Sequence, residues 1–278
     1  MWGLLGFGTL ISAQRLIAAL FLNQPRETRN MPKRPIDPES VVVFTGSGVS
    51  APSGIPTFRS GSGLWNQHRI EDVATPDAWH RQPELVLEFY NERRRHAASV
   101  EPNSAHYAIA ALEQRFKVTV ITQNVDDLHE RAGSHDVIHL HGELRKARST
   151  LDPSLVYEIG DTPIRLGDRC ALGAQLRPHI VWFGEEIMHY AESRERISTA
   201  SKLLVVGTSL AVYPAAGLLK HARYAARKVI VDLEFVKRIY GFKFVAGSAD
   251  TMVPQIVANW IDEVAPQSAS SGTGASDA

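Results

Sequence analysis

Cysteine is almost missing from this sequence. The one thiol in 278 residues, Cys170, excludes an intramolecular disulfide and any zinc site built from cysteine pairs. Net charge is missing too: 30 Lys and Arg balance 30 Asp and Glu, so no global field draws the chain to nucleic acid or to an anionic membrane. No internal repeat is present. Long apolar runs occur only at the start, where residues 2–13 and 16–22 are interrupted by Gln14 and Arg15 and nearly reach bilayer-spanning length. A secretory signal would need a basic leading region, which is absent, whereas the lack of acids before Glu27 leaves a transit peptide open. The other reading is an upstream start codon, with Met31 beginning the protein just before the fold. Residues 1–39 are therefore expected to be an extension and linker, 40–265 the main domain, and the Ser/Ala/Gly-rich 266–278 a disordered tail. A cytoplasmic protein is expected, with membrane contact only through residues 2–22.

What is present is an alternation of short apolar runs and helical patterns, in a chain long enough to bury a sizeable core. Val41–Phe44 reads as a strand buried on both faces, ending in Thr45, Gly46, Ser47 and Gly48. Gly46, Gly48 and Ala51 fit the G-x-G-x-x-G/A spacing, which suits either a plain turn or a backbone cradle for a pyrophosphate. A dehydrogenase would continue into a helix and a second strand. Here Pro52, Gly54, Pro56, Phe58, Arg59, Gly61 and Gly63 make a long loop, read as a lid. Beyond it we expect helix over 83–94, then a helix capped by Asn103 whose apolar Ala105, Ala108, Ile109, Leu112 and Phe116 recur at helical spacing. Strands are expected at 118–121, 203–206 and 229–231, a short helix at 125–131 and a helix at 215–226. The pattern predicts an α/β, Rossmann-like, doubly wound parallel sheet, with ligands beyond the carboxyl ends of the strands, where Gly46, Gln123 and Gly207 fall.

Several residues there could carry chemistry. Asn124 and Asp126 are as well suited to capping a helix as to gripping a ligand. His141 could act as a base near neutral pH, but it is one of eleven histidines, and His139, two positions earlier on the same strand face, competes with it. Gly207, Thr208 and Ser209 form a second small-residue turn, suited to phosphate or merely to turning. Tyr90 and Arg93 share a helix face, and a guanidinium suits carboxylate recognition, although Arg94 and Arg95 fit a solvated basic helix equally well.

Taken together, GSGVSAPSGIPTFR resembles the GAG-x-S-x-x-SGIP-x-FR signature of the sirtuins, NAD-dependent protein-lysine deacylases. The segments TQNVDDLHERAG, HLHG, RPHIVWFGE and GTSLAVYPAAGL follow in the family's order, and the likeness runs from Val41 to about Trp260. The resemblance implies that NAD is consumed: nicotinamide leaves, His141 activates a ribose hydroxyl, and lysine and O-acyl-ADP-ribose are released. It implies NAD contacts from Gly46, Ser47, Gly48, Ser50, Ala51, Arg59, Gln123, Gly207, Thr208, Ser209 and Ala249, with Phe58 screening the reacting carbon and Asn124 and Asp126 at the nicotinamide end. Asp232 stands where the family usually has a ribose-binding asparagine. Val181, Trp182, Phe183 and Gly184 resemble the strand that pairs with an acyl-lysine peptide. Tyr90 and Arg93 resemble the Y-x-x-R pair of the class III branch, which meets acidic acyl groups such as succinyl and malonyl, and Thr57 agrees with that branch. Most members carry two cysteine pairs for structural zinc in the interval Glu143–Leu176. Here only Cys170 is found there, so no zinc is expected and the small module must be held by packing, through Leu151, Leu155, Val156, Tyr157, Ile159 and Ile164, or be loose. An ADP-ribosyltransferase or NAD glycohydrolase, and a silent NAD or acyl-lysine binder, are the alternative readings.

Overall fold

The computed structural model describes residues 34–57, 68–234 and 239–263. The apolar start, the part of the expected lid from Phe58 to Gly63, and the tail lie outside the described residues, whereas the lid's beginning is a 3₁₀ turn, Ala51–Ser53, ended by Gly54 at a φ of +97°. Within them, no helix is long and apolar enough to cross a membrane.

Strand β1, Asp37–Thr45, is the axis of the molecule. Val41 and Val43 pack into one core and Val42 and Phe44 into the other, as the two-residue period of a strand buried on both faces demands. It pairs in parallel with β2, Lys117–Thr122, on one side and with β7, Ala200–Val206, on the other. With β3, Val137–His139, β8, Arg227–Asp232, and β9, Lys243–Ala246, the order is β3-β2-β1-β7-β8-β9, all parallel. The order reverses at β1, so its carboxyl end is the topological switch point where ligands bind in open sheets. Helix Ser104–Ala111 and helix Ala249–Asp262 cover one face, and helix Tyr190–Thr199 and a 3₁₀ helix, Ala215–His221, cover the other.

Inserted between β3 and β7 is a small antiparallel sheet: β4, Gly142–Ser149, flanked by β5, Val156–Glu158, and β6, Leu176–Ile180. It packs on the long helix Pro83–Ser99, here called α1, through Leu87, Ala147 and Ile164. Of the residues expected in this core, Ile164 and Ile159 are in it, whereas Leu151 and Val156 are exposed and Ala147, Leu176, Leu87 of α1 and Trp79 fill the rest. Tyr157 contributes instead through its hydroxyl, which accepts from Ala171 N–H. The segment 167–176 closes on itself, with Cys170 N–H bonded to Ala174 O, Leu176 N–H to Asp168 O, and the Gln175 amide to three backbone groups.

Element boundaries differ from the expected ones where side chains capture backbone groups. β1 begins at Asp37, four residues ahead of the apolar run, and Ser201 Oγ bonds Pro38 O and Ser40 O there. The short helix expected from Val125 begins at Leu128, since Val125 O accepts from Leu144 N–H and Asp126 Oδ1 accepts from Leu128 N–H. The helix expected to run to Ala226 stops at His221, and beyond it Lys228 Nζ donates to Arg223 O and Tyr224 O.

Candidate active site

Two glycine turns interlock at the carboxyl ends of β1 and β7. Gly48 N–H donates to Gly207 O at 2.9 Å, and a Cβ added at Gly207, whose φ is +59°, would lie 2.4 Å from the Gly48 carbonyl carbon. Glycine is required for the two strand ends to approach this closely. Their backbone and the partly exposed Ser47 and Ser209, one in each turn, form a polar edge. Gln123, leaving β2, extends it: its Nε2 donates to Thr208 Oγ1 at 2.9 Å. Asp232 ends β8 with Oδ1 accepting from Leu233 N–H, and Gly247 N–H donates to Asp232 O. Ala249 buries its methyl in the core, so its backbone is what it can offer a ligand.

Behind this edge lies a chain of buried polar groups. Asn124 Nδ2 donates to Ser50 Oγ at 3.0 Å, and Ser50 Oγ donates to Asp126 Oδ2 at 3.2 Å. His106 Nδ1 accepts from Asn103 N–H, so its Nε2–H faces Ser50 Oγ, 3.5 Å away. His129 Nε2 lies 3.1 Å from Thr45 Oγ1, whose own proton goes to Thr122, and the two histidine rings meet edge to face at 4.9 Å. Burial lowers His106 to about 4 and His129 well below the ordinary histidine range, which keeps both neutral. Burial also raises the Asp126 carboxyl, against the opposing hydrogen bonds from Leu128 and Ser50. Sequence reading missed His106 and His129. The spacing Asn103-x-x-His106 is the signal that could have found the first, since it forms a capping box.

Contrary to the expectation from sequence, the histidines at 139 and 141 do not share a strand face, because β3 ends at His139 and a turn follows. His139 Nδ1 lies 3.1 Å from Asn124 O, and Nε2 lies 2.7 Å from Glu130 Oε1. Burial opposes its charge, yet the Glu130 bond and charge prevail and raise its pKa, so both ring nitrogens are committed. His141 Nδ1 lies 2.9 Å from Gln123 O, a group that can only accept, so the proton sits on Nδ1 and the Nε2 lone pair is left to act. Burial lowers its pKa, partly offset by the Gln123 bond. Geometry thus separates a charged strut from a neutral base. Gly142 must follow, since a Cβ there would sit 2.0 Å from His179 O.

Tyr90 is 1% exposed and lies between Trp182 and Phe89, with ring centroids 6.5 and 5.1 Å away. Burial pushes its hydroxyl up to about 12, the nearby Arg93 opposing. Arg93 Cζ stands 5.7 Å from the Tyr90 ring centroid, and burial lowers its pKa against the charges of Tyr90 and Asp126, which puts the Tyr90 and Arg93 pair beside the polar chain. Trp182 is backed by Arg177, 3.3 Å over its ring, and Arg177 and Arg148 both bind Glu185. Val181–Gly184, expected as a strand, is a turn beyond β6. Val181 N–H bonds His141 O, Trp182 N–H bonds Glu185, and Phe183 N–H bonds Ala74 O, so these amides are already engaged within the fold.

Hydroxyls, amides and small-residue turns at the switch point are the donor set a dinucleotide requires, and these residues fit one. A two-pair cysteine zinc site does not fit: Cys170 is the one thiol, and no group of three or more His, Cys, Asp or Glu among the described residues could hold a metal ion.

Residues 46–214 match the model of the Sir2 family. An NAD-dependent protein deacylase of Helicobacter pylori is 50% identical over 194 residues, which are 70% of this chain and 82% of that protein. A solved complex of a Sir2 homologue with NAD superposes with a TM-score of 0.73 at 37% identity, over 81% of this chain and 90% of that one. A complex of Sir2 with a p53 peptide and NAD+ gives 0.64 at 31% identity, over 81% and 92% of the two chains.

Proposed function

The chain belongs to the Sir2 family and is an NAD-dependent protein deacylase, and from that premise we propose that it removes acidic acyl groups such as succinyl and malonyl from lysine, with some deacetylation. One observation carries the acyl reading: Arg93 and Tyr90 stand together on one face of α1, 5.7 Å apart, beside Trp182 and Asp126. A guanidinium and a phenol at that spacing suit a carboxylate at the far end of an acyl chain.

In this reading Gly46, Ser47, Gly48, Ser50, Ala51, Gln123, Gly207, Thr208, Ser209, Asp232 and the Ala249 backbone hold NAD, and Asn124 and Asp126 meet its nicotinamide end. NAD supplies a glycosidic bond that releases nicotinamide on cleavage and a ribose that receives the acyl group. Ser50, hydrogen-bonded to both Asn124 and Asp126, keeps the amide and the carboxyl in register. His141 takes a hydroxyl proton on Nε2 while Nδ1–H stays on Gln123 O, so the ring need not turn during the transfer. Arg93, partly exposed, meets the modified lysine, with the buried Tyr90 and Trp182 behind it. The peptide backbone meets the carbonyl groups around Val181–Gly184, whose amides are engaged.

The test is turnover of NAD with matched succinyl-lysine and acetyl-lysine peptides, followed by mass spectrometry of the products. O-acyl-ADP-ribose formed faster from the succinyl peptide, and lost in His141→Ala, is expected. Free ADP-ribose or ADP-ribosylated protein as the main product would point to a glycohydrolase or transferase instead.

A further inference from the structure

The inserted module meets α1 through two apolar clusters, Leu144 and Ile180 with Val86, Phe89, Tyr90 and Ala97, and Ile164 and Ala147 with Leu87, and through one polar link. Asn91 treats the backbone of Ile164 as a neighbouring strand would: Nδ2 donates to Ile164 O at 2.8 Å and Oδ1 accepts from Ile164 N–H at 2.9 Å. The same Oδ1 accepts from the Arg94 guanidinium at 2.7 Å. Arg94 Nε donates to Leu144 O at 2.5 Å, and Leu144 N–H is bonded to Val125 O, within the loop that carries Asn124 and Asp126. Ile164 is buried against Leu87 of α1 and Ala147 of β4. One asparagine and one arginine therefore tie the helix to the module at two points, the Ile164 backbone and the strand leaving His141.

Arg94 is 1% exposed, and its second terminal nitrogen has no hydrogen-bond partner among the described residues. Burial lowers its pKa to about 10, offset in part by the charge of Asp161. A buried guanidinium held by a carbonyl and an amide is a poor device for stability alone, since an apolar side chain of similar volume would serve as well. What it achieves is direction. Tyr90 comes just before Asn91 and Arg93 two residues after, so any slip of α1 against the module moves the acyl-recognising pair relative to His141 and Asp126.

We propose that Asn91 and Arg94 are specificity-positioning residues, which pin α1 to Ile164 and Leu144 and so fix where Tyr90 and Arg93 stand in the acyl pocket. The inference rests on the acidic-acyl reading above. It is tested by steady-state kinetics of the whole protein with NAD and the matched peptides. Asn91→Ala is expected to raise KM for succinyl-lysine about tenfold, with kcat and the acetyl-lysine KM changed by less than about twofold. Asn91→Asp, which still accepts from Ile164 N–H and Arg94 but turns an acceptor toward Ile164 O where Nδ2 donated, is expected to recover part of the preference. Labelling of the buried Cys170 by a thiol reagent reads the module directly, and is expected to quicken in Asn91→Ala and less in Asn91→Asp. An unchanged succinyl-to-acetyl ratio in folded Asn91→Ala, or equal losses with both peptides, overturns the proposal and leaves the acidic-acyl reading standing. No succinyl preference in the parent enzyme overturns that reading, and the proposal falls with it. Should Asn91→Ala not fold, Arg94→Lys decides by the same ratio.

Discussion

The sheet edge and the inserted module hold themselves together by different means. At the edge, backbone meets backbone through Gly48 and Gly207, and Ser50, Asn124, Asp126, His106, His129, Thr45 and Thr122 satisfy one another in a buried chain. The module buries Leu144, Ala147, Ile164 and Ile180 against neighbouring helices, leaves Leu151, Leu166 and Leu172 exposed, and adds partly exposed pairs such as Arg145 with Asp161 and Lys146 with Glu158. Pairs of that kind contribute little, on the order of 0–1 kcal/mol each. The wall at the sheet edge is therefore set by steric fit and a buried hydrogen-bond network that leaves His129 Nδ1 without a partner among the described residues. The module adds a few side-chain links, one of which reaches the loop of Asn124 and Asp126 through Arg94, Leu144 and Val125.

The comparison breaks most sharply at His141. Replacing it with Ala is expected to lower kcat by roughly 10²–10⁴ while melting stays near that of the parent, because the ring makes one hydrogen bond, to Gln123 O. Nicotinamide release and thermal melting check the two halves of that statement. The lowered pKa of His141 adds a sign: activity should hold as pH falls to 6.5, and its acid limb should lie below that value.

Next is Gly207→Ala, where a positive φ and a 2.4 Å clash act together. A loss of about 3 kcal/mol or more is expected from denaturant melts. Acidification probes the same wall. His106 titrates near 6.5 when unfolded and at about 4 when folded, so the unfolded chain binds the proton first. The stability is fully present above pH 6.5 and is lost as pH falls to about 4, by an amount on the order of 3 kcal/mol. Buried His129 acts in the same direction. Denaturant melts across that window should slope accordingly, and His106→Gln should flatten them.

On the module side the effects are smaller. Arg93→Leu or Tyr90→Phe is expected to raise KM for a succinyl peptide about tenfold with acetyl turnover retained, read from the two peptides side by side. Smallest of all is metal removal. Dialysis against a chelator is expected to leave the melting temperature where it was, and a fall of several degrees would mean that a metal holds the module.

The parallel sheet was legible because its strands carry the period of two-sided burial and end in glycine turns. The choice of His141 over His139 was not legible in the pattern of residues. It came from resemblance, whereas the physical reason, one ring spent on Asn124 and Glu130 and the other tied at a single nitrogen, appears only in three dimensions. The core of the module was legible at Ile159 and Ile164 but not at Leu151 and Val156, because Leu87 and Trp79 come to it from elsewhere in the chain. Asn91 and Arg94 look like ordinary helix-surface residues until Ile164 and Leu144 are brought against them.

Two adjacent carbonyls, those of Gln123 and Asn124, are each tethered by an imidazole. Freezing one residue of backbone takes roughly 1–2 kcal/mol, and here the dipeptide is frozen before any ligand arrives. Its amide side chains therefore meet an incoming nucleotide on a scaffold with little freedom left to surrender, and affinity at that spot need not be eroded by loop ordering.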